Sequence, residues 1–157
     1  MKVIPLSQGK CAVVDDNNYD SLSKYKWCAV KIRNTFYAIR KENGKSIYMH
    51  REIMGLSFNS LEQVDHINHN GLDNKLLNLR KCTSKQNQYN QKSIKGSSKY
   101  KGIYWNKGTK RWHAQVWFNY HNYYLGVFVS EVEAAKAYNI AAKQYYGEFA
   151  YLNVITD

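Results

Sequence analysis

Residues 64–87 read Val64-Asp65-His66-Ile67-Asn68-His69-Asn70-Gly71-Leu72-Asp73-Asn74-Lys75-Leu76-Leu77-Asn78-Leu79-Arg80-Lys81-Cys82-Thr83-Ser84-Lys85-Gln86-Asn87. Residues 64–67 read as a strand, the Asn-, Gly- and Asp-rich 68–74 as a turn-rich loop, and 79–82 as the return strand. A helix then starts near Thr83 or Ser84, either of which suits an N-cap. The pattern is strand–loop–strand–helix, with Asp65 on a strand opposite Asn87, one turn into the helix. Adjacent strand residues point to opposite faces, so Asp65 and His66 can share one site only at a strand end or a bulge. Asn70, Asp73 and Asn74 read as turn formers, and His69 as a loop residue.

Upstream, residues 1–60 read as short strands and turns. Residues 10–14 and 27–32 are β-rich. Residues 36–40 and 46–50 flank Glu42-Asn43-Gly44-Lys45, and an Asn-Gly pair between two such runs signals a hairpin. Residues 20–25 suggest one helical turn. Downstream, residues 88–99 are polar, basic and Gly/Ser-containing, which places a linker over 91–99. Its two readings, a tether without contacts or a strand laid along a nucleic-acid groove, stand side by side.

Residues 100–157 form a second unit. Residues 111–118 alternate, with Trp112, Ala114, Val116 and Phe118 on one face and Arg111, His113, Gln115 and Trp117 on the other. Residues 122–129 read as the neighbouring strand, with Leu125 and Val127 sharing a face. Ser130-Glu131-Val132-Glu133 is a capping box. Val132, Ala135, Tyr138, Ala142 and Tyr145 follow at helical spacing, and Gly147 suits the stop. Small residues at 134, 135, 137, 141 and 142 let this helix lie close against a sheet. The fold class expected is α+β: a β-rich N-terminal region leading into the strand–loop–strand–helix over 1–90, the linker 91–99, and a three-stranded antiparallel sheet packed on one helix over 100–157.

The charge says more by its distribution than by its total of +11. Between Asp73 and Glu131 there is no acidic residue, while eleven Lys or Arg fall in that gap. A long one-signed stretch persists more easily when a polyanion neutralises it, and Tyr89, Tyr100, Tyr104, Trp105, Trp112, Trp117 and Tyr120 are interleaved there. Nucleic acid is the partner this points to. An anionic membrane is disfavoured, because no basic amphipathic helix is seen. No run approaches the ~20 apolar residues that span a bilayer, and residues 1–5 lack a signal-peptide pattern, so a cytoplasmic protein, of a bacterial cell or a phage-infected host, is the expectation. Cys11, Cys28 and Cys82 form no C-x-x-C pair, so neither a disulfide framework nor a structural zinc is expected.

The segment 64–87 resembles the H-N-H nuclease signature, in the variant of phage and intron-encoded homing endonucleases. The carrying residues are the Asp65-His66 pair, the Gly71-Leu72-Asp73-Asn74 turn, Asn78-Leu79-Arg80, and the final Asn87. Met49-His50-Arg51 resembles the family's upstream element. Two hard oxygen ligands with open positions suit magnesium, and a His, with an ordinary pKa of ~6.5, is the natural base for water. The resemblance implies a ββα-metal module. His66 is then the general base, Asp65 and Asn87 bind one Mg²⁺ or Mn²⁺, and Asn78 holds the loop and the His66 ring. Arg80 becomes a phosphate clamp. Arg51 and His50 are further phosphate candidates, His50 serving equally well as structural support.

Residues 100–153 are similar to the plant-type ethylene-response-factor (apetala-two) DNA-binding domain. The similarity rests on Tyr100-Lys101-Gly102-Ile103, Trp112, Ala114, Leu125-Gly126-Val127-Phe128, Glu133-Ala134-Ala135, Ala137-Tyr138, Ala141-Ala142, Gly147, Ala150 and Asn153. It implies a sheet laid in the major groove, reading double-stranded DNA with Lys101, Tyr104, Asn106, Arg111, Gln115, Trp117, Asn122 and Tyr124. Several positions that are commonly Arg in that family are Tyr104, Asn106, Trp117 and Asn122 here, so a sequence preference does not transfer. The whole reads as a homing-type DNA endonuclease that nicks, with no obligate protein partner evident. The alternatives are a DNA-binding regulator with an inactive nuclease module, and a basic structural protein of RNA or ribosomal type.

Overall fold

A computed structural model describes residues 1–92 and 96–155. The middle of the linker assigned to 91–99, residues 93–95, and the last two residues of the second unit lie outside the described residues. The chain divides into two compact units, Met1–Asn87 and Gln88–Asp157. Its fold is mixed α and β, with four α-helices and several small antiparallel sheets among the described residues.

In the first unit, β1 (Lys2–Pro5) and β2 (Cys11–Val14) form a two-stranded ladder. β3 (Cys28–Ile32), β4 (Thr35–Glu42) and β5 (Lys45–Tyr48) form a three-stranded sheet. The β4–β5 turn has positive φ at both Asn43 (50°) and Gly44 (75°), which is what a type I′ hairpin demands and an Asn-Gly pair supplies. Two helices join these strands: α1 (Asp16–Leu22) and α2 (Met49–Ile53). Ile4, Ala12, Val14, Leu22, Trp27, Ala38 and Met49 make the core, and Leu72 packs against it.

The helical turn expected over 20–25 begins earlier and ends at Leu22, the buried residue of α1. Beyond it, Leu22 instead accepts a 2.8 Å hydrogen bond from the Trp27 indole. Met49 and His50, expected in a strand, open α2; Met49 is fully buried, so its burial and not alternation sets the element. β1 was not foreseen. Ile4 is its one buried residue, too little alternation to read.

β6 (Gln63–His66) and β7 (Leu79–Cys82) pair antiparallel, with Asp65 opposite Arg80 and His66 opposite Leu79. α3 (Ser84–Tyr89) follows, and the division between the units falls in its last turn. β6 ends at His66, one residue earlier than expected: Ile67 N still donates to the Asn78 carbonyl (2.9 Å), but Asn78 N donates to the Lys75 carbonyl (2.9 Å) and closes a 3-10 turn instead of returning the ladder bond.

The second unit places β8 (Ile103–Asn106), β9 (Arg111–Phe118) and β10 (His121–Phe128) in the order β10-β9-β8. One face is covered by α4 (Glu131–Tyr146), whose Ala134, Ala135, Ala141 and Ala142 join Ala114, Val116 and Tyr138 in the core. Side chains this short let the helix approach the sheet closely. Ser130 sits at the N-cap and accepts from Val132 N at 3.2 Å, and Gly147 ends the helix at φ 57°.

A bulge between Tyr124 and Gly126 shifts the register of β10. It separates Leu125, which packs on the core, from Val127, which pairs with His113 and is exposed. The two do not share a face as simple alternation expected, because a bulge adds one residue to a period of two. Within the stretch read as linker, Ser97 Oγ accepts from Trp105 N (2.7 Å), and Ser98 Oγ donates to Glu131 (2.6 Å), so both are bonded into this unit.

Candidate active site

Four buried polar side chains gather around the loop between β6 and β7: Asp65, His66, Asn74 and Asn78. The loop is held from inside by Asn78. Its Oδ1 accepts from Asn68 N (3.0 Å), its Nδ2 donates to the Asp73 carbonyl (2.7 Å), and its own carbonyl accepts from Ile67 N. Asn68 Nδ2 donates to Asp73 Oδ2, and Asn70 Oδ1 accepts from Leu72 N, as turn formers do. His69 has φ 63° and lies in this loop.

The His66 ring is held by Asn74, whose Oδ1 lies 3.2 Å from Nε2. The expected contact from Asn78 goes to the loop backbone, so the two tasks assigned to one Asn are divided between two. The ring also meets the His50 ring edge-on (centroids 5.0 Å) and Tyr37 (5.7 Å). Burial pushes the His66 imidazole below its ordinary pKa, partly offset by the Asn74 hydrogen bond and by the charges of Asp65 and Asp73. His50 is buried among Tyr37, Tyr48 and His66. Burial first, and then the charges of His66 and Arg51, lower its pKa to about 3, so it is neutral at ordinary pH. Burial raises the Tyr37 hydroxyl, and the Asp65 charge adds to that.

Asp65 is clasped by Arg80, whose Nε (2.9 Å) and Nη2 (2.6 Å) both donate to Oδ2. Both side chains are largely buried, 7% and 11% exposed, so this pair is weakly screened. Gln63 and Asp65 lie two residues apart and share a face of β6. Asn87 is tied to that face, its Nδ2 donating to Gln63 Oε1 at 2.8 Å. Arg51 donates to the carbonyls of Glu62, Ser57 and Ser60 and so pins residues 57–62.

Asp65 and Asn87 supply hard oxygens, the donor type that a magnesium-like cation accepts. No group of three or more His, Cys, Asp or Glu able to hold a metal occurs among the described residues. Asp65 and Asn87 are the residues that would hold such a cation, with water and phosphate oxygens completing the shell, as Mg²⁺ commonly allows. The donor chemistry fits.

In the second unit, the register pairs Tyr104 with His113, Asn106 with Arg111, Asn122 with Trp117 and Tyr124 with Gln115. Seven of the eight residues assigned to DNA therefore lie on the sheet face opposite α4. Trp117 and Tyr124 are exposed, and Asn122 Nδ2 donates to Gln115 Oε1 at 2.8 Å. Asn106 Oδ1 accepts from Gly108 N and Thr109 N and builds the β8–β9 turn. Lys101, the eighth, precedes the sheet. Its ammonium donates to the Tyr89 and Gln91 carbonyls at 2.7 Å each, and burial lowers its pKa to about 8.

Sequence reasoning missed Asn74, read only as a turn former, and Tyr37, which no local motif marks. It also passed over His113. That residue sits at the middle of the outer face, buried under Tyr104 and Tyr124, with Thr109 Oγ1 3.0 Å from its Nε2. Its place in the alternation was the one available signal.

The chain is 34% identical over 152 residues to a protein of Acanthamoeba polyphaga mimivirus described as an uncharacterized HNH endonuclease. The match covers 94% of this chain and 77% of that protein. This chain belongs to the HNH endonuclease family, and its activity class is that of a nuclease. No protein-family model matches it, and no solved structure does. No helix among the described residues is long and apolar enough to cross a membrane.

Proposed function

We propose that the chain is a homing-type endonuclease that hydrolyses DNA phosphodiester bonds at the β6–β7–α3 site and is carried to double-stranded DNA by its second unit. The observation that carries this reading is the His66 ring. It lies at the very end of β6, buried, with its pKa pushed down by that burial and its Nε2 3.2 Å from Asn74 Oδ1, immediately after Asp65. A strand end is what lets neighbouring residues of opposite faces act at one phosphate.

In this reading His66 takes the proton of a water as that water attacks phosphorus, and the 3′-oxygen departs on the opposite side. Asp65, steadied by Arg80, and Asn87, steadied by Gln63, would hold one Mg²⁺ or Mn²⁺. Bound there, the cation supplies charge stabilisation for the crowded phosphate and its leaving oxygen. Asn78 keeps the loop closed. One such site per chain makes a nick the natural product. The outer face of the β8–β9–β10 sheet, with Trp117 and Tyr124 exposed on it and basic residues around it, supports the reading of that unit as an apetala-two-like DNA reader.

The test is supercoiled plasmid incubated with the protein and Mg²⁺ or Mn²⁺, with EDTA as control. Open circles should form only with the metal. His66→Ala should reduce the rate by roughly 10²–10⁴-fold while DNA retention in a gel-shift assay is kept. A His66→Ala protein that nicks as fast as the parent removes the proposed base.

A further inference from the structure

We propose that the outer face of the β8–β9–β10 sheet selects A·T-rich double-stranded DNA, and does so by contact with thymine C5-methyl groups. This rests on the reading of the second unit as a DNA reader, and adds which base pairs it takes and which atoms tell them apart.

Base pairs differ in what they present in the major groove. Guanine offers two acceptors, which a guanidinium fork matches; adenine offers one acceptor and one donor, and its partner thymine adds a methyl group. Arg111 is the only arginine from residue 81 onward, and its Nη1 donates to the Lys110 carbonyl at 3.0 Å, so its fork is engaged at the β8–β9 turn. Lys107 and Lys110 lie in that turn, off the strands.

Apolar groups occupy the face instead. Trp117, Tyr124 and Val127 are 57%, 55% and 48% exposed there. Tyr124 pairs with Gln115 and Val127 with His113. Three residues apart on a plain strand they would point opposite ways, and the bulge beside Leu125 brings both outward. Beneath them His113 is buried, with the Tyr124 and Tyr104 hydroxyls 3.3 Å and 3.4 Å from its Nδ1. The Tyr124 hydroxyl is thus turned to a protein partner, which leaves the ring as its contact surface. Covering such surface with a methyl group is favourable.

An amide pair stands beside these rings. Asn122 Nδ2 donates to Gln115 Oε1 at 2.8 Å. Whichever amide donates, such a pair leaves one carbonyl oxygen and one amino group between the two side chains. That complements the N7 acceptor and N6 donor of adenine, and mismatches the two acceptors of guanine.

Charge brings the duplex to this side. Residues 103–128, the three strands and their turns, hold Lys107, Lys110 and Arg111 and no Asp or Glu. The acids among the described residues of this unit, Glu131, Glu133 and Glu148, lie in α4 or the 3-10 turn after it. α4 covers the opposite face, so the outer one offers phosphates only positive charge.

The experiment is fluorescence anisotropy of the full chain in EDTA, so that no strand is cut, at one fixed salt concentration. The probes are alternating dA·dT, dA·dU and dG·dC duplexes of equal length. The dA·dT duplex should bind most tightly. Replacing dT by dU removes only methyl groups, and should weaken binding about fourfold for each methyl that is buried. Val127→Ser and Trp117→Ser should each bring the dT-to-dU ratio towards one, and Gln115→Ala should narrow the gap between dA·dU and dG·dC. Equal affinity for dA·dT and dA·dU overturns the proposal, as does a dG·dC duplex bound as tightly as dA·dT. Tighter binding of single-stranded dT than of the duplex would make the rings a stacking platform and overturns it too. So does a methyl preference that both Ser variants leave intact, because it then belongs to another surface. Failure of the underlying reading looks different: Lys107→Ala combined with Lys110→Ala, which should weaken all three duplexes alike, then changes none of them.

Discussion

The β6–β7–α3 region of the first unit and the β8–β9–β10–α4 assembly of the second both set a helix after antiparallel strands, yet they bury opposite kinds of side chain. Around β6 and β7 the buried residues include Asp65, His66, Asn74 and Asn78; between the second sheet and α4 they are Ala114, Val116, Ala134, Ala135, Tyr138 and Ala142. Apolar surfaces need only fit, because burial itself stabilises them. Buried polar groups must each be met by a partner in a particular direction. The first region accordingly draws support from well beyond itself, from Val13, Asp15, Thr35 and Tyr37. The second closes on its own helix. The first arrangement costs more to build, because each buried polar group needs its own partner, whereas the alanine-lined seam needs only a close fit.

The comparison breaks most visibly at the ion pair. Arg80→Met leaves the Asp65 carboxylate without its guanidinium, and the first unit should lose about 3–5 kcal/mol in urea unfolding. A loss below 1 kcal/mol would mean the pair is solvated and the region less dry than described. The second unit should instead be sensitive to volume. At Gly102, φ is +78° and a Cβ would strike the Tyr138 ring, so Gly102→Ala should cost about 2–3 kcal/mol. It should leave the catalytic rate on bound DNA unchanged, whereas Gly71→Ala, at the loop itself, should lower that rate.

Acid separates the units further. His50 is about 3 when folded and near 6.5 when unfolded, so the unfolded chain binds the extra proton between those values. Stability is therefore full above pH ~6.5 and falls as pH is lowered towards 3, by about 2 kcal/mol at pH 5. Thermal melts from pH 7 to 4 should show this limb for the first unit, and His50→Phe should flatten it. The smallest effect is at the α4 cap. Ser130→Ala removes the acceptor for Val132 N and should cost the second unit about 1 kcal/mol, read as a small drop in its Tm with cleavage unaffected.

Much of this was legible in the residues. The Asn43-Gly44 hairpin, the β6–loop–β7–α3 order, and the Ser130 start and Gly147 stop of α4 are local, and each follows from a dihedral or a donor that one residue type satisfies. What sequence reading lost was non-local. α1 moved because Leu22 belongs in the core and its carbonyl meets the Trp27 indole. The bulge beside Leu125 broke an alternation that the pattern alone carries straight through. Lys101, one more basic residue on paper, is turned to two carbonyls.

By itself the sequence determined which chemistry-bearing groups the chain owns and their order along it: carboxylate, imidazole and amides at 65, 66, 78 and 87, and a long basic stretch without a single acid. Tertiary structure alone decided which of them meet. Asn74 rather than Asn78 faces the imidazole, Arg80 clasps Asp65, and the strands at 11–14 and 35–42 brace the loop. The reason is range. Propensity and spacing act over a few residues, whereas a hydrogen bond to a buried atom depends on which distant segment the packing brings within about 3 Å.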